Sequence, residues 1–325
     1  MSEPAGPSRP PVVGVDVGGS NILARLVDPV SGQAEGRVKT GTPVDGPDAV
    51  VESIVETVHG LEGWETAQAV GIGLPGPVTP GGVTGPCPNI VGWDEPMALA
   101  DRLSRRFEFP VMIGNDVNCG ALAEHRLGAG KGYSDMLAIF VGTGVGGGLI
   151  LGDRLVVGPR GGAGEIGHLT VVAGGRPCGC GGFGHLEAYA GRAGIDAEMR
   201  RRSAGDANRF LLSLVEDSPL KSRHLAAGLK ADDPLTITLL EEAADALARV
   251  IGNAVTLLDL PLVVLGGGIV DRLGDAFLAQ ILESSDFGGF GSGSAELVLA
   301  QRLDDAGAVG AALLAADSIG YDNGQ

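Results

Sequence analysis

Aromatic residues are scarce, at 4% of the 325-residue chain. Cysteine is scarce too. Four copies, at positions 87, 119, 178 and 180, are too few to staple a chain of this length. A disulfide scaffold is excluded, and reduced thiols or metal ligands are expected. No apolar run approaches the roughly 20 residues of a membrane helix. The opening Met1–Pro10 lacks the apolar core of a secretory signal. A cytoplasmic, membrane-free protein with a disordered tail over residues 1–10 is therefore expected. Positive charge is short: 23 Lys and Arg face 40 Asp and Glu, for a net charge of −17. Such a surface repels phosphodiester backbones and disfavours nucleic-acid partners. General disorder is excluded as well, since only 19% of residues are charged and 44% are hydrophobic. The length suits two lobes better than one core.

What the chain has in excess is glycine, with 56 copies clustered between apolar stretches and no triplet period. This is the pattern of tight turns and of backbone brought close to a ligand. Val12–Val17 and Ile22–Val27 read as strands joined by Gly18-Gly19, and Arg37–Thr40 as a third strand. Asp48–Val58 has helical spacing at Val51, Ile54, Val55 and Val58. Ala69–Leu74 reads as a buried strand, Pro96–Phe107 as a helix, Val111–Ile113 as a strand and Val117–Leu127 as a helix. A second set opens the same way: Met136–Val141 and Gly148–Leu151 flank a glycine-rich turn over residues 142–147. The repetition predicts two related lobes. Asp233-Pro234 is a capped helix start. That helix is expected to reach Leu260, with Leu240, Ala243, Leu247, Ile251, Ala254 and Leu258 as its apolar stripe. Leu262–Leu265 and Leu297–Ala300 read as strands. Ala306–Ala316 reads as a small-residue helix able to pack back on the first lobe.

Three glycine turns follow apolar strands: Gly18-Gly19, Gly142-Thr143-Gly144 and Gly266-Gly267. None ends in the Gly-Lys-Ser/Thr of a Walker A loop, and none has dinucleotide spacing. Singly each is a hairpin turn; together they favour a nucleotide held by backbone N–H groups. Ser20 and Thr143 add hydroxyl donors, and Asp16 stands where a carboxylate would hold Mg²⁺ through water. Asp116, in Gly114-Asn115-Asp116-Val117-Asn118, reads either as a helix cap or as a general base for an attacking hydroxyl. Asn115 would hold a neighbouring hydroxyl. His168, Cys178, Cys180 and His185 make a two-histidine, two-cysteine set of the kind that binds structural zinc. Glu165 and Glu187 flank that set, as sugar ligands or as ordinary surface glutamates.

Taken in order, the segments DVGGSN (16–21), GIGLPGPV (71–78), PNIVGW (88–93), NDVNCGALAE (115–124), GTGVGGG (142–148), GGAGEIGH (161–168), CGCGGFGHLE (178–187) and VVLGGG (263–268) resemble the ROK family of bacterial sugar kinases and sugar-responsive repressors. The resemblance spans Val13 to about Ala316. It implies an α/β, two-lobed actin-like ATPase (ribonuclease H-like) fold with a cleft between the lobes. The small lobe would cover 11–114, with a C-terminal helix over about 306–317 packing back on it. The large lobe would cover 115–305 and carry the zinc loop. The resemblance implies Asp116 as catalytic base and sugar contacts from Asn89, Asn115, Asp116, Glu165, His168 and Glu187. Nucleotide contacts would come from Asp16, Gly18, Gly19, Ser20, Asn21, Gly142, Thr143, Gly144, Gly266 and Gly267. ATP, Mg²⁺ and a structural Zn²⁺ are the implied cofactors, a hexose such as glucose the substrate, and a homodimer or higher homo-oligomer the assembly.

Two departures stand out. The family's zinc loop usually has a third cysteine where this chain has His185, and its first phosphate loop often ends in Thr-Lys where this chain has Ser20-Asn21. The alternative acceptors to glucose are N-acetylmannosamine, N-acetylglucosamine, fructose, mannose, allose or a cyclitol, and polyphosphate is an alternative donor. A sugar-responsive repressor is disfavoured, because the first strand begins at Val12 and leaves no room for a DNA-binding module ahead of it.

Overall fold

The computed structural model describes residues 10–87, 89–203, 210–215, 218–284, 295–301 and 305–321. Of the expected tail, residues 1–9 lie outside them, as does Pro88 of the 88–93 segment. The strands are β1 (Val12–Val17), β2 (Asn21–Val27), β3 (Ala34–Gly41), β4 (Val70–Leu74), β5 (Val83–Thr84), β6 (Met97–Ala98), β7 (Val111–Asn115), β8 (Met136–Val141), β9 (Val145–Leu151), β10 (Arg154–Val156), β11 (Leu262–Gly266) and β12 (Glu296–Leu299). They form two five-stranded sheets of the same connectivity, β3-β2-β1-β4-β7 and β10-β9-β8-β11-β12. In each, a three-stranded antiparallel meander is followed by two strands added in parallel. β4 and β11 are buried along their whole length. That is why they read as unbroken apolar runs without alternation.

Each sheet has its own core. One gathers Val13, Val15, Ile54, Ile72, Trp93 and Leu103. The other gathers Leu137, Ile139, Leu186, Leu240, Leu247 and Val263. A third cluster joins the helix Asp116–Leu127 to the C-terminal helix Ala306–Ser318, through Leu122, Ala123, Val309 and Leu313. The C-terminal helix packs backbone to backbone against β1 and β4. A Cβ on Gly14 would sit 1.9 Å from the Ala308 carbonyl oxygen, and one on Gly71 1.7 Å from that of Ala311. Gly310 does the same against Cys119, at 1.7 Å from its carbonyl oxygen. These glycines are present for closeness of approach, which explains why this helix is built of Ala and Gly.

Several boundaries differ from expectation. Residues 97–98 pair with Val83–Thr84 as a short ladder, so the helix begins at Leu99 and not at Pro96. The long helix is Pro234–Leu258, capped by the Asp233 carboxylate, which accepts from the Thr236 N–H at 2.8 Å. It stops short of Leu260 because Asp259 turns left-handed, at φ 52°. Its stripe is buried at Leu240, Ala243, Leu247 and Ile251, but Leu258 is 36% exposed, as the last turn overhangs the core. The helix Arg192–Ser203 has no apolar stripe to betray it. Of its apolar residues Ile195 and Met199 enter the core, while the buried Glu198 pairs with Arg201 and Arg202.

Candidate active site

Between the sheets lies a cavity of about 270 Å³, lined by Asp16, Asp116, Val117, Gly120, Phe140, Gly267, Asp271, Asp305, Ala306 and Gly307. Asp16 comes from the end of β1, and its carboxylate lies over the start of the C-terminal helix. A Cβ on Gly307 would be 2.7 Å from its Cγ. Burial, reinforced by the Asp116 and Asp305 charges, raises the Asp16 carboxyl to about 6. The same burial raises Asp116, partly offset by the Val117 N–H that donates to its Oδ1 at 2.9 Å. Beneath them the Cys119 thiol is driven up by burial and by both carboxylates.

The raised Asp16 has a measurable consequence. Its folded pKa exceeds the ordinary carboxylate value, so between about pH 4 and 6 the folded state holds more protons than the unfolded chain. Stability therefore falls as pH rises through that window and stays reduced above it. Asp16→Asn should stabilise the ligand-free, metal-free protein at pH 8 by up to about 2–3 kcal/mol, and the gain should shrink toward zero near pH 4. Urea unfolding at both pH values checks this. No gain at pH 8 would mean the carboxylate carries no burial penalty.

Asp116 is not the cap of its helix. Asn115 is: its Oδ1 accepts from the Asn118 N–H at 3.1 Å, and its Nδ2 donates to the Gly76 carbonyl at 3.1 Å. The Asp116 carboxylate is left facing the cavity. Asn115 retains one N–H beyond these bonds, so its amide ties the 71–78 segment to the helix.

The first glycine turn closes with the Gly18 N–H on the Asn21 carbonyl at 2.9 Å, and Thr42 Oγ1 braces it by donating to the Gly18 carbonyl at 2.6 Å. Asn89 backs onto it: a Cβ on Gly19 would meet the Asn89 carbonyl oxygen at 2.6 Å. The second turn closes with the Gly142 N–H on the Gly144 carbonyl at 2.9 Å, and Arg192 donates to Thr143 Oγ1 at 2.5 Å. The N–H groups of Gly19, Ser20, Thr143 and Gly144 find no acceptor among the described residues. Unpaired backbone donors on a turn suit an anion. Gly266 and Gly267 pack tightly under Phe140 and Val141, with Gly267 at φ 90°.

His168, Cys178, Cys180 and His185 come together, with one donor atom from each inside a 4.8 Å span. His168 Nδ1 lies 3.9 Å from Cys178 Sγ, and His185 Nδ1 lies 3.2 Å from Cys180 Sγ. Tetrahedral zinc with these ligands needs separations of about 3.3–3.8 Å, so the set fits a closed four-ligand metal site after an adjustment of side-chain positions. All four cysteines of the chain are free thiols. The loop is pinned from behind by Arg176, which lies over the Tyr189 ring at 4.4 Å and pairs with Glu198 at 3.6 Å and with Glu242.

His168 turns its other nitrogen, Nε2, to Glu165 at 3.9 Å. Burial raises the Glu165 carboxyl against the lowering effect of His168, and the Glu187 and Asp116 charges raise it further. Glu187 is more constrained than expected of a sugar ligand. Its Oε2 accepts from the Val145 N–H at 3.0 Å, next to the second glycine turn, and its Oε1 lies 3.8 Å from Cys178 Sγ. It links the histidine–cysteine cluster to the second turn. Sequence reasoning missed Asp271, Asp305 and Arg192. Only the first carried a signal, as the acid three residues beyond Gly266-Gly267-Gly268.

The ROK family profile matches residues 12–318. A glucokinase from Streptomyces coelicolor is 35% identical over 311 residues, covering 93% of this chain and 96% of that protein. The structure of a ROK hexokinase from Thermus thermophilus superposes with a TM-score of 0.82 at 32% identity, covering 96% of this chain and 100% of that one. A ROK family glucokinase from Streptomyces griseus, in complex with glucose and AMPPNP, superposes with a TM-score of 0.78 at 33% identity, covering 94% and 99%. The α/β fold is the two-lobed actin-like ATPase fold that the motifs imply.

Proposed function

We propose that this chain, which belongs to the ROK family, transfers a phosphoryl group from ATP to a hexose, with glucose as acceptor and glucose 6-phosphate as product. The observation that carries the reading is Asp116: a carboxylate freed from capping by Asn115, enclosed in the inter-sheet cavity and raised by burial. A hydroxyl attacks phosphorus well only if its proton has an acceptor, and a carboxylate with a raised pKa is a better one. In this reading Asp116 takes the proton of the C6 hydroxyl. Glu165 and the Nε2 of His168 bind ring hydroxyls, and Asn89, Asn115 and Glu187 complete the sugar side. The unpaired N–H groups of Gly19, Ser20, Thr143 and Gly144 take the donor phosphates, beside Gly18, Asn21, Gly142, Gly266 and Gly267. Most of the rate gain then comes from positioning and fixed dipoles.

Asp16, with Asp305 beside it and Asp271 on the wall of the same cavity, would hold Mg²⁺, which would neutralise phosphate charge. His168, Cys178, Cys180 and His185 would hold Zn²⁺, whose filled shell supplies rigidity and activates no water. The Nδ1 of His168, which lies 3.9 Å from Cys178 Sγ, would be its ligand atom, leaving Nε2 for the sugar. The division into lobes over 11–114 and 115–305, with the C-terminal helix returned to the first, belongs to the same reading and is supported by the two matching sheets. Homodimerisation and a cytoplasmic location are further parts of it. Among the described residues no helix is long and apolar enough to cross a membrane.

The test is ADP release with ATP and Mg²⁺ over a panel of glucose, mannose, fructose, allose, N-acetylglucosamine, N-acetylmannosamine and a cyclitol. Glucose should give the highest kcat/KM. Release that no sugar stimulates would overturn the kinase reading, and a better acceptor elsewhere in the panel would overturn the choice of glucose.

A further inference from the structure

A second cavity, of about 340 Å³, adjoins the first through their shared Asp16. Its floor is the first glycine turn, Gly18, Gly19, Ser20 and Asn21, and its wall carries Arg37 and Lys39 from β3. The two cations share this wall because alternate residues of a strand point the same way. Val38 and Thr40 face the opposite side, where Thr40 Oγ1 hydrogen-bonds Thr57 Oγ1 at 2.8 Å. Antiparallel pairing sets Lys39 across from Leu23 and Gly41 across from Asn21, so Lys39 stands beside the end of the turn.

The two cations differ in what they already hold. Arg37 is engaged with Asp305, at 4.0 Å, and Arg25 pairs with the same carboxylate. Lys39 has no ion pair and no side-chain hydrogen bond among the described residues. Opposite it, the N–H groups of Gly19 and Ser20 are also without acceptors. Nearby, the first cavity is lined by four acids, Asp16, Asp116, Asp271 and Asp305. In a chain of net charge −17, an unpaired lysine facing two unpaired backbone donors is a local site for an anion.

We propose that Lys39 contacts the donor's phosphates. It supplies across the hairpin, from β3, the positive charge that Asn21 does not supply within the turn. The proposal rests on the kinase reading above. Lysine is suited to the task as a point charge on a flexible stem, which can follow a phosphate during transfer.

The experiment compares wild type, Lys39→Gln and Lys39→Arg. KM for ATP at saturating glucose, KM for glucose at saturating ATP and the Kd of AMPPNP by calorimetry are measured for each. Lys39 is exposed on an edge strand, so unfolding temperatures should match wild type. Lys39→Gln should raise KM for ATP and Kd for AMPPNP about tenfold, the effect of one charged hydrogen bond, and leave KM for glucose unchanged. Lys39→Arg should restore most of the loss. Added salt should narrow the gap between wild type and Lys39→Gln, because an exposed charge is screened. A Lys39→Gln variant within twofold of wild type for both ATP and AMPPNP would overturn the proposal while glucose phosphorylation by the wild type kept the kinase reading intact. A wild type that phosphorylates no hexose would instead overturn that reading. AMPPNP binding, which needs no acceptor, would still decide whether Lys39 holds the nucleotide.

Discussion

Asp116→Asn should lower kcat for glucose by about 10²–10⁴-fold, the range for loss of a general base, while the Kd for glucose changes little. The amide keeps an oxygen for the Val117 N–H, which donates to Asp116 Oδ1 at 2.9 Å, so the start of the helix stays formed. The helix keeps its Asn115 cap as well. What is lost is the ability to accept a proton. The wild-type pH profile supplies a second readout. Asp116 must be ionised to act, and burial raises its carboxyl. Activity should therefore decline on acidification at a higher pH than an ordinary carboxylate would give, and this limb should be missing from the residual rate of the variant. Quench-flow or coupled-assay turnover within tenfold of wild type would remove Asp116 from the role.

Removing the metal ligands should act on a different parameter. Cys178→Ser, or exhaustive chelation of the wild type, should abolish bound zinc, raise KM for glucose by at least about tenfold and lower the unfolding temperature by about 10 °C. The thermal figure follows from an ion bound at a thousandfold its dissociation constant, worth about 4 kcal/mol, at about 2–4 °C per kcal/mol in a chain of this size. The sugar effect follows from geometry: His168 presents Nδ1 to the cluster and Nε2 to Glu165, so releasing the metal frees the ring to turn. A smaller rise in KM for ATP is expected. Glu187 lies beside Cys178 and also accepts from the Val145 N–H at the second glycine turn. Elemental analysis of protein purified without chelator decides the matter. Fully active protein with markedly substoichiometric zinc would show that His185 has ended metal binding at this loop.

The cluster itself was legible because its four ligands fall between positions 168 and 185, and Cys-x-Cys with flanking histidines is chemistry written locally. The strands around Gly18-Gly19 and Gly142-Thr143-Gly144 were legible for a similar reason. Each turn is bounded by its own apolar runs, so hairpin and ligand loop are specified within about a dozen residues. Asp116 was half legible. Its neighbourhood marked a helix start and a possible base, but which of Asn115 and Asp116 caps the helix depends on side-chain direction, and only the folded backbone shows that.

Tertiary structure decided what lies far apart in sequence. Asp305 reaches the cleft because Arg25, 280 residues away, and Arg37 hold it there. Nothing in the residues around Asp305 announces that pairing. Lys39 stands beside the first glycine turn only through the β2–β3 register, since a slip of one residue would move it to the opposite face. Glu187 reads as a surface or sugar-binding acid until the 42-residue return to Val145 is closed. The small residues of the C-terminal helix show that it packs closely, but not against what. Gly14 and Gly71 become necessary only when that helix crosses the first sheet. Local sequence determined the turns, the helix starts and the metal loop, because short-range sterics and ligand spacing act between neighbours. The cleft, its charge balance and the partners of its acids were decided by long-range packing, because they exist only where two sheets and a returning helix meet.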